Sequence, residues 1–139
     1  MATAIKYFDT AKVGYARLTA ANAATDGSGT LVAVTWMNSA PTTDWFVTNI
    51  QLAATSATGV GDLADCLVHV FVSDGTNVRL LTTLDAGNPA AGTTALPGFL
   101  GNISLGPGFV LPSTVSLQFG LSVAPTAGNL DVVVFAQAA

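Results

Sequence analysis

The chain is short of charge. Lysine, arginine, aspartate and glutamate make up 9 % of its 139 residues, whereas a typical soluble domain contains about 25 %. Glutamate is absent, and the cations are Lys6, Lys12, Arg17 and Arg79. Four scattered cations on a chain of net charge −4 cannot form the clustered basic surface that nucleic-acid binding requires. We therefore expect no nucleic-acid partner.

Long apolar runs are also missing. Hydrophobic residues are 50 % of the chain, yet the most apolar stretches, 67–72 and 130–135, contain His69 and Asp131. A membrane-spanning helix needs about 20 consecutive apolar residues. The composition therefore favours one domain whose apolar side chains lie in a core and in contacts between molecules, with no membrane partner.

Residue patterns for catalysis or cofactor binding are scarce. The single cysteine, Cys66, excludes an internal disulfide, and the single histidine, His69, follows three positions later. In a strand, residues three apart point to opposite faces, so these side chains should diverge instead of forming a nucleophile and base. No loop has the dense carboxylate pattern of a calcium site. We predict that the protein is not an enzyme and binds no cofactor or metal.

Helical periodicity is nearly absent, whereas alternation and β-branched runs recur between clusters of Gly, Pro, Asn and Asp. This pattern predicts about eight strands, at residues 12–19, 30–36, 44–53, 66–73, 78–84, 102–105, 114–121 and 130–137. We predict an all-β chain with an N-terminal arm at 1–11 and a single antiparallel β-sandwich at 12–139. Eight strands with long crossovers favour a jelly roll, and the alternative is an immunoglobulin-like sandwich.

The alternation also assigns faces to the first and third predicted strands. Side chains two residues apart in a strand share a face. Val13, Tyr15 and Arg17 should therefore point one way, and Gly14, Ala16 and Leu18 the other. By the same rule Phe46, Ile50 and Leu52 should lie together.

The predicted strand at 66–73 is apolar on both faces. Such a strand is covered on both sides, and in a one-domain β protein the second cover is often another subunit. We therefore predict that Leu67, His69 and Phe71 lie at an interface between subunits of a homo-oligomer. The sequence Ser73–Asn77, which reads S-D-G-T-N, predicts a hairpin turn after this strand.

Two tryptophans flank a proline-containing loop. Trp36 precedes the loop and Trp45 follows it, with Asp44 beside the second indole. Exposed indole rings and a carboxylate could stack on and hydrogen-bond a sugar. The competing interpretation is that both indoles pack at a sheet edge or at a subunit contact.

Several segments together resemble a family of viral proteins. They read W-F-V-T-N-I-Q-L-A-A-T from Trp45, L-V-H-V-F-V-S-D-G-T-N-V-R-L-L from Leu67, L-P-S-T-V-S-L-Q-F-G-L-S from Leu111, and V-V-V-F-A-Q near the end. The opening T-A-A-N-A-A-T-D-G-S-G-T-L-V-A-V is also similar. The chain resembles jelly-roll bacteriophage virion proteins of the capsid decoration, or head accessory, type. These motifs are structural and imply no catalytic residue.

The resemblance implies a homotrimer on the capsid surface, with the major capsid protein as its partner. We expect synthesis in the host cytoplasm without a signal peptide, because residues 1–9 contain no apolar signal region. The arm, with Tyr7 and Phe8, is the predicted capsid contact. The alternative function is a tail-associated or fibre-associated carbohydrate-binding module that uses Trp36, Asp44 and Trp45.

Overall fold

A computed structural model describes residues 10–55, 61–62, 66–87, 90–92, 99–103, 107–125 and 129–139. Within these ranges the chain forms strands and turns and no helix, which confirms the all-β prediction. The strands are β1 Thr10–Leu18, β2 Val32–Ala33, β3 Thr35–Trp36, β4 Trp45–Thr55, β5 Gly61–Asp62, β6 Cys66–Ser73, β7 Val78–Gly87, β8 Ala90–Gly92, β9 Phe99–Ile103, β10 Phe109–Leu111, β11 Ser116–Leu121 and β12 Asn129–Ala138.

Two antiparallel sheets contain most of these strands. The six-stranded sheet has the order β10-β4-β12-β1-β3, and β9 also pairs with β4. The four-stranded sheet has the order β2-β11-β6-β7, and β5 pairs with β8 alone. Thr10 and Ala11, which the sequence assigned to the arm, lie in β1 and pair with Ala138 and Gln137 of β12.

One hydrophobic core draws on both sheets. The six-stranded sheet contributes buried side chains such as Ile50 and Val132, and the four-stranded sheet contributes Val70, Leu117 and Phe119. Full burial of such a side chain stabilises the fold by about 1.5–3 kcal/mol. The alternation predicted for β1 is confirmed, because Ala16 and Leu18 are buried whereas Tyr15 and Arg17 are exposed.

The predicted strand at 30–36 is divided between the two sheets. β2 pairs with β11 in one sheet, and β3 pairs with β1 in the other. Val34 lies at the corner, where its N–H donates to the Leu117 carbonyl at 3.2 Å. A side chain at Gly14 would collide with Val34 and Trp36, so the glycine leaves room for the corner. Strands that bend in this way turn from one sheet into the next.

A bulge in β4 reverses one predicted facing. The register between β12 and β4 shifts between Phe135 and Ala136, which pair with Asn49 and Val47 and leave Thr48 between them. A bulge adds one residue to one strand. The side chains before it therefore change faces relative to those after it. Ile50 and Leu52 are buried, but Phe46 points outward, so its predicted placement with them is wrong.

The predicted turn at Ser73–Asn77 is confirmed. Gly75 has φ of +90°, a conformation that favours glycine. The backbone N–H groups of Asn77 and Thr76 donate to Asp74 Oδ1 at 2.6 and 2.9 Å. These bonds favour the ionised carboxylate and lower the pKa of Asp74 to about 2. The turn therefore fixes the hairpin between β6 and β7.

Candidate functional site

The middle of the outer face of the four-stranded sheet is covered by the chain itself, whereas Leu67 and Leu80 remain exposed. Residues 20–31, here called the covering segment, cross this face above β11. A Cβ atom on Gly120 would lie 3.3 Å from both the Asn22 carbonyl oxygen and Leu31 Cδ2. The N–H of Asn22 also donates to the Leu121 carbonyl at 2.7 Å. The absence of a side chain at Gly120 therefore allows the segment to approach the sheet closely.

Internal hydrogen bonds shape the covering segment. The side-chain amide of Asn22 donates to the carbonyls of Ser28 and Thr30 at 3.0 and 2.9 Å. Gly27 has φ of +86°, and a Cβ atom there would lie 2.8 Å from Val78 Cβ of β7. The segment is therefore a closed loop that reaches across the sheet as far as β7.

The predicted interface residues lie beneath or beside this segment. Phe71 is 0 % exposed within the single chain and His69 is also buried, whereas Leu67 is partly exposed. Phe71 and His69 are therefore already covered within the single chain, because the covering segment approaches β11 closely at Gly120. The subunit contact predicted for Leu67, His69 and Phe71 stays a prediction.

His69 is satisfied inside the fold. Its Nδ1 lies 2.9 Å from Thr83 Oγ1, and its ring lies against Phe71 with centroids 6.3 Å apart. Burial lowers the pKa of His69, because desolvation disfavours the charged imidazolium. In the described structure, these contacts therefore indicate a structural role for His69.

The six-stranded sheet presents its outer face without such a cover in the described part of the chain. Six outward-facing apolar side chains define what we call the open face, and at the exposed positions Tyr15 is 43 %, Val110 50 % and Phe135 36 % accessible. Isolated exposed apolar residues are ordinary, but contiguous patches mark interaction sites. The six residues of the open face are Val13, Tyr15, Phe46, Val110, Val133 and Phe135.

Strand pairing makes the central part of the open face continuous. Val13 of β1 lies opposite Phe135 of β12, and Tyr15 lies opposite Val133. Side chains directly opposite in an antiparallel pair have Cβ atoms about 4.5–5.5 Å apart. The two pairs are separated by one inward-facing position on each strand, so they form one apolar stripe along β1 and β12.

A second part of the open face arises from the bulge in β4. The bulge turns Phe46 outward, where it pairs with Val110 of β10 and with Gln137 of β12. Gly108 has φ of +96°, and a Cβ atom there would collide with the Phe46 ring. Sequence alternation alone missed Phe46, because nothing in the local pattern identifies the bulge.

One ion pair borders the open face. Arg17 Nε and Nη2 donate to the two carboxylate oxygens of Asp131 at 2.8 and 3.0 Å. The hydrogen bond and the charge of Asp131 raise the pKa of Arg17. These are the charged side chains that β1, β4 and β12 direct outward in the described structure. The open face is therefore electrically neutral, although the chain is not.

The structure brings together the two predicted sugar-binding tryptophans. Trp36 and Trp45 meet edge to face, with centroids 5.2 Å apart and ring planes at 88°. However, Trp45 is buried and its indole N–H donates to the Pro112 carbonyl at 3.2 Å. Of this pair, Trp36 is the residue that remains partly exposed. The two indoles therefore do not offer two exposed ring faces on which a sugar could stack.

A small cleft lies beside these indoles. It has a volume of about 140 Å³, and its lining includes Trp36, Pro41, Ser113 and Thr114. Asp44 is not among the residues that line it, and its backbone carbonyl accepts from the N–H of Ala139 at 3.1 Å. The cleft therefore combines the partly exposed indole of Trp36 and part of the buried Trp45 with hydroxyl groups, without the predicted carboxylate.

Lys12 holds the loop that borders this cleft. Its Nζ donates to the carbonyl and to the hydroxyl of Ser39 at 3.0 and 2.9 Å. The lysine lies on the inner face of β1 and is largely buried. A buried cation needs such partners because desolvation is costly. No local sequence pattern indicates this role, since Lys12 and Ser39 are far apart in the chain.

The described residues contain no group of three or more His, Cys, Asp or Glu side chains that could hold a metal ion. Cys66 is buried in the core, whereas His69 lies on the opposite, outer face of β6, which confirms that they diverge. Among the same described residues, no helix has the length and apolarity needed to cross a membrane.

Comparison with known proteins gives no relative: no family model, no curated protein and no solved structure matches the chain. The features that bear on function are therefore those of the molecule itself. They are the open face, the covered face opposite it, and the cleft beside Trp36.

Proposed function

We propose that the chain is a bacteriophage virion structural protein, a capsid decoration protein that binds the head surface as an oligomer and stabilises the shell. The open face is the single observation that carries this proposal. A folded chain that leaves the aromatic rings of Tyr15 and Phe135 and the side chain of Val110 exposed on one neutral sheet face gains free energy when another protein surface covers them.

We assign the jelly-roll fold as part of the same proposal. If β2 and β3 are one bent strand, and β9 and β10 together flank β4, the chain has eight main strands. Consecutive main strands then alternate between the two sheets, apart from the β6–β7 hairpin. Such crossovers are characteristic of jelly rolls, which recur in viral capsid proteins, and they favour this fold over an immunoglobulin-like sandwich.

The composition supports repeated contacts between copies. Alanine and glycine lose little or no side-chain entropy when they are fixed at an interface. Charged residues are only 9 % of the whole chain, so its surface also has few charged side chains to desolvate on association. Both properties lower the free-energy cost of association.

The action of such a protein is mechanical. Each apolar Å² that it buries against a neighbour contributes about 25 cal/mol. An oligomer that contacts several capsid subunits at once dissociates far more slowly than one contact would, because release requires all contacts to open together. The shell thereby gains interface that internal pressure must break.

Mass spectrometry of purified particles tests this function. Particles of the phage that encodes the chain should contain it as an abundant component, with hundreds of copies per particle as expected for a capsid-wide lattice. A handful of copies would instead assign it to the tail. Complete absence from particles would contradict the proposal.

The cleft beside Trp36 supports a second candidate, a tail-associated or fibre-associated module that binds carbohydrate. An indole face next to the hydroxyls of Ser113 and Thr114 offers stacking and hydrogen bonding to one sugar ring. This candidate predicts hits on a glycan array and a loss of binding in Trp36→Ala. Leu80→Ala, which changes an exposed side chain outside the lining of the cleft, is the control for general disturbance. An array without hits would remove the candidate.

A further inference from the structure

We propose that the open face is covered by further copies of this chain and is the surface through which the homo-oligomer forms. The inference rests on the proposed function, whose oligomer it supplies with an interface. It locates that interface on β1, β12 and β4 of the six-stranded sheet. The predicted contact at Leu67, His69 and Phe71 lies on the other sheet.

The first support is that the chain already covers the middle of one of its two outer faces, although Leu67 and Leu80 of that sheet remain 38 % and 40 % exposed. The covering segment closes over Phe71, which is 0 % exposed. The described chain supplies no equivalent for Phe135, which remains 36 % exposed. Removal of exposed apolar surface from water is favourable, so the exposed side chains of the open face gain free energy when something outside the described residues covers them.

The second support is the size of the face. β12 is ten residues long, and at about 3.3 Å per residue it extends roughly 33 Å. Five strands about 4.8 Å apart span roughly 24 Å. Because the edge strands are short, the strands of this sheet with β9 included cover an area on the order of 600 Å², at the lower end of the roughly 600–1,000 Å² that each partner contributes to a standard-size interface.

The third support is charge. Arg17 and Asp131 neutralise each other through two hydrogen bonds, so the face selects neither an acidic nor a basic partner. Copies of a chain of net charge −4 repel one another at most surfaces. A neutral face allows them to meet without like-charge repulsion at the contact.

The fourth support is the chemical composition of the face. Tyr15, Phe46 and Phe135 are aromatic, and Met37, which is largely exposed, follows β3 at the edge of the same sheet. Polar side chains such as Asn49 and Gln51 of β4 lie beside the stripe. Interface cores are enriched in aromatic residues and methionine, and their rims are polar. The open face has this arrangement.

Sedimentation velocity of the purified full chain tests the inference. The parent chain should sediment as an oligomer at micromolar concentration, and its mass distinguishes a dimer from the expected trimer. Phe135→Asp places a charge in the middle of the contact and should raise the dissociation constant at least about 100-fold. Leu80→Asp is the matched control, because Leu80 is 40 % exposed on β7 of the other sheet, and it should leave the mass unchanged.

Circular dichroism verifies that each variant is folded, and Tyr15→Asp replaces Phe135→Asp if the latter is not. A monomeric parent chain at tens of micromolar would overturn the inference. So would an oligomer that Leu80→Asp dissociates and Phe135→Asp does not. A chain that is monomeric in solution but abundant in particles would refute this interface and leave the proposed function standing. A stable oligomer that is absent from particles would refute the proposed function and leave this interface standing.

Discussion

The outer faces of the two sheets differ in what lies over them. Phe71 on β6 and Phe135 on β12 both point away from the core, and both belong to strands rich in valine. One is fully buried and the other is more than one-third exposed. The difference arises from the covering segment, which docks where Gly120 offers no side chain. Equivalent strand patterns therefore acquire different roles through a segment distant in sequence.

The contrast also separates stability from association. The covered part of the four-stranded sheet contributes to the folding of the single chain, because Phe71 beneath the covering segment is removed from water within it. The open face contributes little to that folding, so its apolar residues are available to gain free energy on contact with another molecule. Substitutions on the two faces should therefore change different quantities.

Truncation of the two phenylalanines should give the largest contrast. Phe71→Ala creates a cavity under the covering segment and should lower the free energy of unfolding by about 3–5 kcal/mol. Phe135→Ala should lower it by no more than about 1 kcal/mol, as expected for a partly exposed position. Urea unfolding at submicromolar concentration, where association is minimal, measures both values. Equal losses of unfolding free energy in the two variants would contradict the difference in burial between Phe71 and Phe135.

The covering segment can be displaced through Gly27. Gly27→Ala forces an L side chain into φ of +86° and against Val78, and should cost about 2–4 kcal/mol from backbone strain and overpacking together. Gly75→Ala is the matched control, since φ is +90° but no atom lies within 4 Å of the new Cβ. It should cost about 1–2 kcal/mol. Thermal unfolding of the two variants compares them, and a larger loss for Gly75→Ala would show that the segment does not pack on β7.

The covered face should also make stability sensitive to mild acid. Burial lowers the pKa of His69 below its unfolded value near 6.5. Below that value the unfolded chain binds a proton that the folded chain resists, so the free energy of unfolding should fall as the pH decreases from about 7 to 5. His69→Gln should reduce this slope. An unchanged slope in the variant would indicate that another group causes it.

The all-β class and the positions of the strands could be predicted from the sequence where apolar and polar residues alternate regularly. The alternation in β1 identified which of its side chains share a face, and the S-D-G-T-N motif identified the hairpin turn, because both depend on neighbouring residues. The facing of Phe46 could not be predicted, since it depends on a bulge whose only sign is the pairing of β4 with β12. The corner at Val34 likewise depends on two partner strands.

The candidate site could be predicted only in part. The sequence placed Val13, Tyr15 and Arg17 on one face, but it did not indicate that this face would remain uncovered. It assigned a subunit contact to Phe71, which the chain itself covers, since the approach of Asn22 and Leu31 to Gly120 is a long-range contact. The predicted capsid contact at Tyr7 and Phe8 lies outside the described residues. The pairing of Trp36 with Trp45 was predicted as one alternative, but the burial of Trp45 was not.

Hydroxyl-radical footprinting of purified particles tests the central claim most directly. Tyr15 and Phe135 should be labelled in the dilute free chain and protected in the particle. The extent of labelling of Leu80 and Leu81 of β7 should change less between the free chain and the particle. Protection of the tyrosine and phenylalanine is the result that the open face predicts. Equal labelling of these two residues in the free chain and in the particle would contradict it.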